Sequence, residues 1–207
     1  MKYANLDRFK AICDRHGIPA GVSTLVFEEL LTRHSESHRA YHTLSHLERM
    51  LKFSTEYEIP DDEVEFAIWF HDVIYDPREK HNERKSADFF LSKFDGYLWN
   101  EFSREVERLI IATDPTIKNM GTNRENLIID NDLCILGAPP EEYLEYSKNV
   151  RKEYDFVPDD EFCKGRIEVL TLLQEGEIFS SEHFKHFEQQ ASENIAAEIE
   201  RLQKGLL

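Results

Sequence analysis

The sequence predicts an all-helical fold, and three observations predict it. Apolar residues recur at intervals of three and four along most of the chain, which is the period of one helix face. Turn-forming and capping residues such as His16-Gly17, Ile59-Pro60-Asp61-Asp62, Tyr75-Asp76-Pro77 and Asp114-Pro115 divide those stretches into helix-length pieces. No alternating apolar–polar run bounded by turn residues is long enough for a strand, and the sequence has no internal repeat or low-complexity tract. The expected architecture is one domain over residues 1–207, a bundle of nine or ten helices.

The elements follow in order. Leu6, Phe9, Ala11, Ile12 and Cys13 mark the first helix, which His16-Gly17 stops ahead of Pro19. A second runs over 20–34 with Val22, Leu25, Val26, Phe27, Leu30 and Leu31 on its buried side, and the polar segment 35–39 follows. The third starts at the N-cap Thr43 and carries His46, Leu47, Met50, Leu51 and Phe53. The fourth, over 62–73, is the most apolar in the chain and is therefore expected at the centre of the fold. Asn82-Glu83-Arg84-Lys85-Ser86-Ala87 opens a fifth that continues through Phe89, Phe90, Leu91 and Phe94. A sixth covers 101–113, residues 115–122 read as a loop, and a seventh covers 125–136 with Gly137 as its closing residue. Pro139-Pro140, Pro158-Asp159-Asp160 and Ser180-Ser181-Glu182 open the last three.

Composition narrows the possible partners. The chain is 41% hydrophobic and 32% charged, the balance of a globular protein, and its formal net charge is −16. That charge repels duplex nucleic acid and anionic membranes, yet leaves room for a small phosphorylated molecule where a cation or basic side chains reverse the sign locally. Cys13, Cys134 and Cys163 form no Cys-x-x-Cys pattern, and an odd number cannot all pair; reduced thiols in the cytoplasm are the expectation. Met1-Lys2-Tyr3-Ala4-Asn5-Leu6-Asp7 has no basic-then-apolar leader pattern, and no apolar run approaches a bilayer-spanning length.

Two stretches carry chemistry. In Tyr41-His42-Thr43-Leu44-Ser45-His46 the two histidines are four apart, so a helix there would project both from one face. Phe70-His71-Asp72 follows the apolar run Phe66-Ala67-Ile68-Trp69, which predicts burial of an ionisable pair that must then find partners. Asp130-Asn131-Asp132 interrupts another apolar helix, adding carboxylates that pair, accept hydrogen bonds or bind a cation. Two His and two Asp suit one divalent Mn, Fe, Co, Ni or Zn ion better than Mg, and leave positions for water. An open position marks a catalytic rather than structural metal, and water bound there ionises near neutral pH. The reaction class this predicts is hydrolysis of a phosphate ester.

The order His46, then His71-Asp72, then a distant Asp132 resembles the HD superfamily of metal-dependent phosphohydrolases, which takes its name from that His-Asp pair. Tyr41-His42-Thr43-Leu44-Ser45-His46 also resembles the Tyr-His-Asn-x-x-His of cyclic-nucleotide phosphodiesterases, in which the first histidine is a general acid and the second a metal ligand. The resemblance therefore implies an HD-type helical domain with its metal-site core at about 39–137, His42 as general acid, and His46, His71, Asp72 and Asp132 as ligands. Asp130-Asn131-Asp132-Leu133 is similar to the family's Asp-Ala-Asp-x-Leu segment, which favours Asp132 over Asp130. A group of predicted HD phosphohydrolases is similar in the Tyr-His, Phe-His-Asp, Asn-Glu-x-x-Ser-Ala and Asp-Leu-x-Ile-Leu-Gly pieces.

The departures shape the expectation too. Where many HD enzymes place histidines for a second metal, this chain has Asn82 beside Glu83, and Asp114-Pro115-Thr116 after Thr113. One divalent metal is expected, with Glu83 orienting the attacking water and Arg39, Arg84 and Lys85 gripping the phosphate. The resulting expectation is a hydrolase acting on a phosphomonoester or phosphodiester of a nucleotide. Two alternatives stand beside it: an HD-type di-iron oxygenase, and a regulatory module that keeps a metal without turnover.

Overall fold

The computed structural model describes residues 1–116 and 120–207, and among them the chain forms ten α-helices and no strand. The all-helical expectation holds. Of the expected loop at 115–122, residues 117–119 lie outside the described residues. Contacts divide the chain into two compact units, Met1–Ile128 and Ile129–Leu207. The first contains α1 (Leu6–Arg15), α2 (Ala20–Arg33), α3 (Leu44–Glu56), α4 (Asp62–Phe70), α5 (Asn82–Phe94) and α6 (Asn100–Ala112). The second contains α8 (Pro140–Glu153), α9 (Asp159–Leu173) and α10 (Glu188–Gln203), and the division falls within α7 (Asn123–Leu133).

The first unit is built around α4. Val64, Phe66, Ala67, Ile68, Trp69 and Phe70 are all buried, as an element apolar on every side must be. Phe9 of α1 meets Trp69 at 5.2 Å between ring centroids, Phe90 of α5 meets Phe70 at 5.2 Å, and Phe102 of α6 meets Phe66 at 5.6 Å. Edge-on pairs of this kind add about 0.5–1.5 kcal/mol each beyond the area they bury. Side-chain caps fix where the helices begin: Asn5, Thr43 and Asp61 accept from the amides of Arg8, Ser45 and Val64.

Helix α3 begins where expected, behind the extended N-cap Thr43 with φ −110° and ψ −177°, and His42 therefore lies ahead of the helix rather than on one face with His46. Two later boundaries differ from the expectation, each for a local reason. Helix α4 ends at Phe70; His71 still donates its amide to Ala67, but the carbonyls of Asp72 and Val73 go to the Arg39 side chain instead of a further helical turn. The last helix begins at Glu188, not at the Ser180-Ser181 signal, because the amides of Ser180 and Ser181 are held by Asp130 at 3.1 and 2.5 Å.

Gly137 has a different use from the one its position suggests. It closes a 3-10 turn (Cys134–Gly137) and is absent from the residues of positive φ, so it is not a left-handed helix cap. A Cβ there would sit 2.5 Å from the Cβ of Phe187, and only a glycine admits that close approach. The second unit is also tied by a buried polar cluster. Arg166 Nε donates to Glu198 Oε1 at 2.9 Å, Arg166 Nη2 to the Tyr146 hydroxyl at 3.2 Å, and the Tyr143 hydroxyl to Glu198.

Candidate metal centre

Three side chains of the first unit converge where α3 faces the end of α4. His46, in the first turn of α3, and His71, at the C-cap of α4, are each about 1% exposed, and Asp72 is 9% exposed. His46 Nε2 lies 3.1 Å from His71 Nε2, His71 Nε2 lies 3.0 Å from Asp72 Oδ2, and His46 Nε2 lies 3.7 Å from the same oxygen.

The backbone sets the protonation of one ring. His71 Nδ1 is 2.9 Å from the carbonyl oxygen of Ile68, a contact that an N–H at Nδ1 satisfies. With Nδ1 turned to that carbonyl, Nε2 is the nitrogen that faces the other two atoms. Fixing one nitrogen on a backbone carbonyl so that the other offers its lone pair is how metal-ligating histidines are held. Three such atoms this close repel one another unless a proton or a cation lies among them. Burial works to raise the Asp72 carboxyl, but His71, His42 and His46 override it and hold the group well below the ordinary carboxylate range. A carboxylate and two imidazole nitrogens form a donor set that fits a divalent transition ion.

His42 flanks this cluster. Its ring stacks on Tyr75 at 4.1 Å and 29°, meets Tyr41 edge-on at 4.9 Å, and lies 5.8 Å from the His46 ring. The expected shared helix face is absent, yet the turn ahead of Thr43 still brings the two rings side by side. Unlike His46, His42 is partly exposed, so a proton can pass between it and solvent.

The other expected residues lie on α5, on α7 and in the segment ahead of α3. Glu83 is the second residue of α5 and is half-buried. Arg84 and Lys85 are exposed and paired with carboxylates, Arg84 with Glu107 at 2.8 Å and Lys85 with Glu79 at 3.0 Å. Asp132 is the penultimate residue of α7 and half-buried. Asp130 is buried and accepts the Ser180 and Ser181 amides, which makes it a fastening of the second unit's backbone. The Arg39 guanidinium makes five hydrogen bonds inside the protein, with its side chain wholly buried, which leaves none of its five N–H groups for a phosphate.

Sequence reasoning also missed residues that shape the site. Ser86 Oγ accepts from the Ile74 amide at 3.0 Å and donates to the Ile74 carbonyl at 3.2 Å. Asn82 accepts from the Asp76 amide at 3.3 Å and donates to the Asp76 carbonyl at 2.9 Å. Together they fasten the segment that leaves the His-Asp pair onto α5, so the amide at position 82 has a structural use. Their spacing of four, at the start of a helix that follows the pair, was the available signal.

Compared with protein-family models, with curated proteins and with solved structures, the chain has no match.

Proposed function

We propose that the protein is a metal-dependent phosphohydrolase that cleaves a phosphomonoester or phosphodiester, with nucleotides as the substrate class. The observation that carries this reading is the buried triangle of His46 Nε2, His71 Nε2 and Asp72 Oδ2, with sides of 3.0–3.7 Å. These three residues would hold one divalent ion, Mn, Fe, Co, Ni or Zn in preference to Mg, and Asp132 is the fourth ligand that the sequence order suggests. When bound, such an ion acidifies water and offsets negative charge on a phosphoryl oxygen.

The chain's own residues divide the remaining work. His42, partly exposed and stacked on Tyr75, gives its proton to the leaving oxygen and regains one from solvent. Glu83, in the first turn of α5, orients the attacking water. Arg84 and Lys85 exchange their surface carboxylates for the substrate phosphate; exposed pairs of that kind contribute only about 0–1 kcal/mol, so the exchange costs little. A charge of −16 and free cysteines support a cytoplasmic protein without duplex nucleic acid as partner. No helix among the described residues is long and apolar enough to cross a membrane.

Elemental analysis of the purified protein tests the reading, alongside hydrolysis of a nucleotide panel and a chromogenic phosphate ester with added Mn, Co, Ni, Zn or Mg. The expected result is about one transition metal per chain and metal-dependent phosphate release. Asp72→Ala loses the metal, whereas His42→Ala keeps it and turns over at least about 100-fold more slowly. Absence of metal and of any rescue would make the histidines structural and remove the hydrolase reading.

A further inference from the structure

We propose that Arg39 is a positioning residue, which holds the segment carrying His42 in register with the turn carrying His71 and Asp72. As a functional claim this rests on the hydrolase reading above. Arg39 Nη1 donates to the carbonyl of His42 at 3.0 Å and to that of Asp72 at 2.7 Å. Nη2 donates to the carbonyl of Val73 at 3.1 Å and to Glu36 Oε2 at 3.2 Å, and Nε donates to the same carboxylate oxygen at 3.3 Å. The two clamped segments are some 30 residues apart in sequence, and one planar guanidinium bonds to both.

Chemistry explains why this position takes arginine. The carbonyls of Asp72 and Val73 lie past the end of α4, where no further helical turn supplies amides, and buried carbonyls must find donors. Lysine brings a compact charge without a fork, whereas a guanidinium spreads five N–H groups in one plane and reaches both segments. Burying that charge is costly unless it is matched, and Glu36 matches it. Tyr75 completes the frame, since its ring lies 5.5 Å from Arg39 Cζ and stacks on His42. Arg39 thus sets where the His42 ring stands relative to the donor atoms of His71 and Asp72, through their backbones.

The test compares full-length wild-type, Arg39→Lys and Arg39→Ala chains by thermal melting, binding of Co(II) alone, turnover of a chromogenic phosphate ester, and amide NMR spectra. For Arg39→Lys the expected result is a folded protein with unchanged metal stoichiometry, KM within a few-fold, and kcat down by about 100-fold, the scale of a misplacement near 1 Å. Added methylguanidinium restores part of the turnover of Arg39→Ala and none of Asp72→Ala. In the spectra of Arg39→Lys, amides of 40–43 and of 71–75 shift together. Unchanged kcat, a loss that only follows lost metal, or shifts confined to 36–42 would overturn the proposal. A wild-type chain that binds no metal and cleaves no ester would defeat the hydrolase reading instead, and the paired amide shifts would still decide whether Arg39 joins the two segments.

Discussion

His34 shows how the site's surroundings constrain a single residue. It is 2% exposed at the end of α2, its Nδ1 lies 2.9 Å from the Leu30 carbonyl, and Nε2 is buried without a hydrogen-bond partner. Burial first, and the Arg39 charge second, lower its pKa from an ordinary 6.5 to about 3. The unfolded chain therefore takes up this proton before the folded one does. Stability attributable to His34 is intact above 6.5 and falls as pH drops from there to about 3, by about 1.4 kcal/mol per unit. The difference in urea-derived stability between wild type and His34→Asn, followed across that window, should carry this slope; a pH-independent difference would show that His34 is not held neutral. The burial of His71 and Asp72 was legible from the apolar run ahead of them. Arg39 was legible only as a nearby cation, because its role depends on carbonyls that approach from residues 72 and 73.

Helices were legible where the information is local. Periodicity, N-caps and the apolar run of α4 are properties of a few consecutive residues, and the ten helices fall where those signals lie. Boundaries were less legible where a distant partner takes over the backbone, as Asp130 does at Ser180-Ser181 and Arg39 does after α4. The ties among α8, α9 and α10 are of the same long-range kind. Glu198 is 1% exposed and faces the Arg166 guanidinium and the Tyr143 hydroxyl. Burial works to raise its pKa, and Arg166 with these hydrogen bonds brings it below the ordinary value. Removing the carboxylate strands a buried cation, so Glu198→Ala should cost about 3–5 kcal/mol in urea unfolding and Glu198→Gln, which keeps an acceptor, distinctly less. A loss below about 1 kcal/mol for the alanine variant would mean that the pair is solvated rather than structural.

At the scale of the molecule, charge dominates. With a formal −16 on 207 residues, like charges repel over the surface despite the local ion pairs. Raising NaCl from about 10 mM to about 200 mM shortens the screening length from about 30 Å to below about 10 Å and should raise the melting temperature. A fall would show that the surface pairs outweigh the repulsion. The division into two units had no sequence signal, since it lies inside α7 with no Pro- or Gly-rich linker and no shift in composition. The clamp at Arg39 bears on how such a molecule can change over time. Because it binds carbonyls, it is indifferent to which side chains stand at positions 42, 72 and 73. Frame and side-chain chemistry are therefore separable: substitutions at those positions can exchange the donor atoms while the same arginine still holds the backbone that presents them.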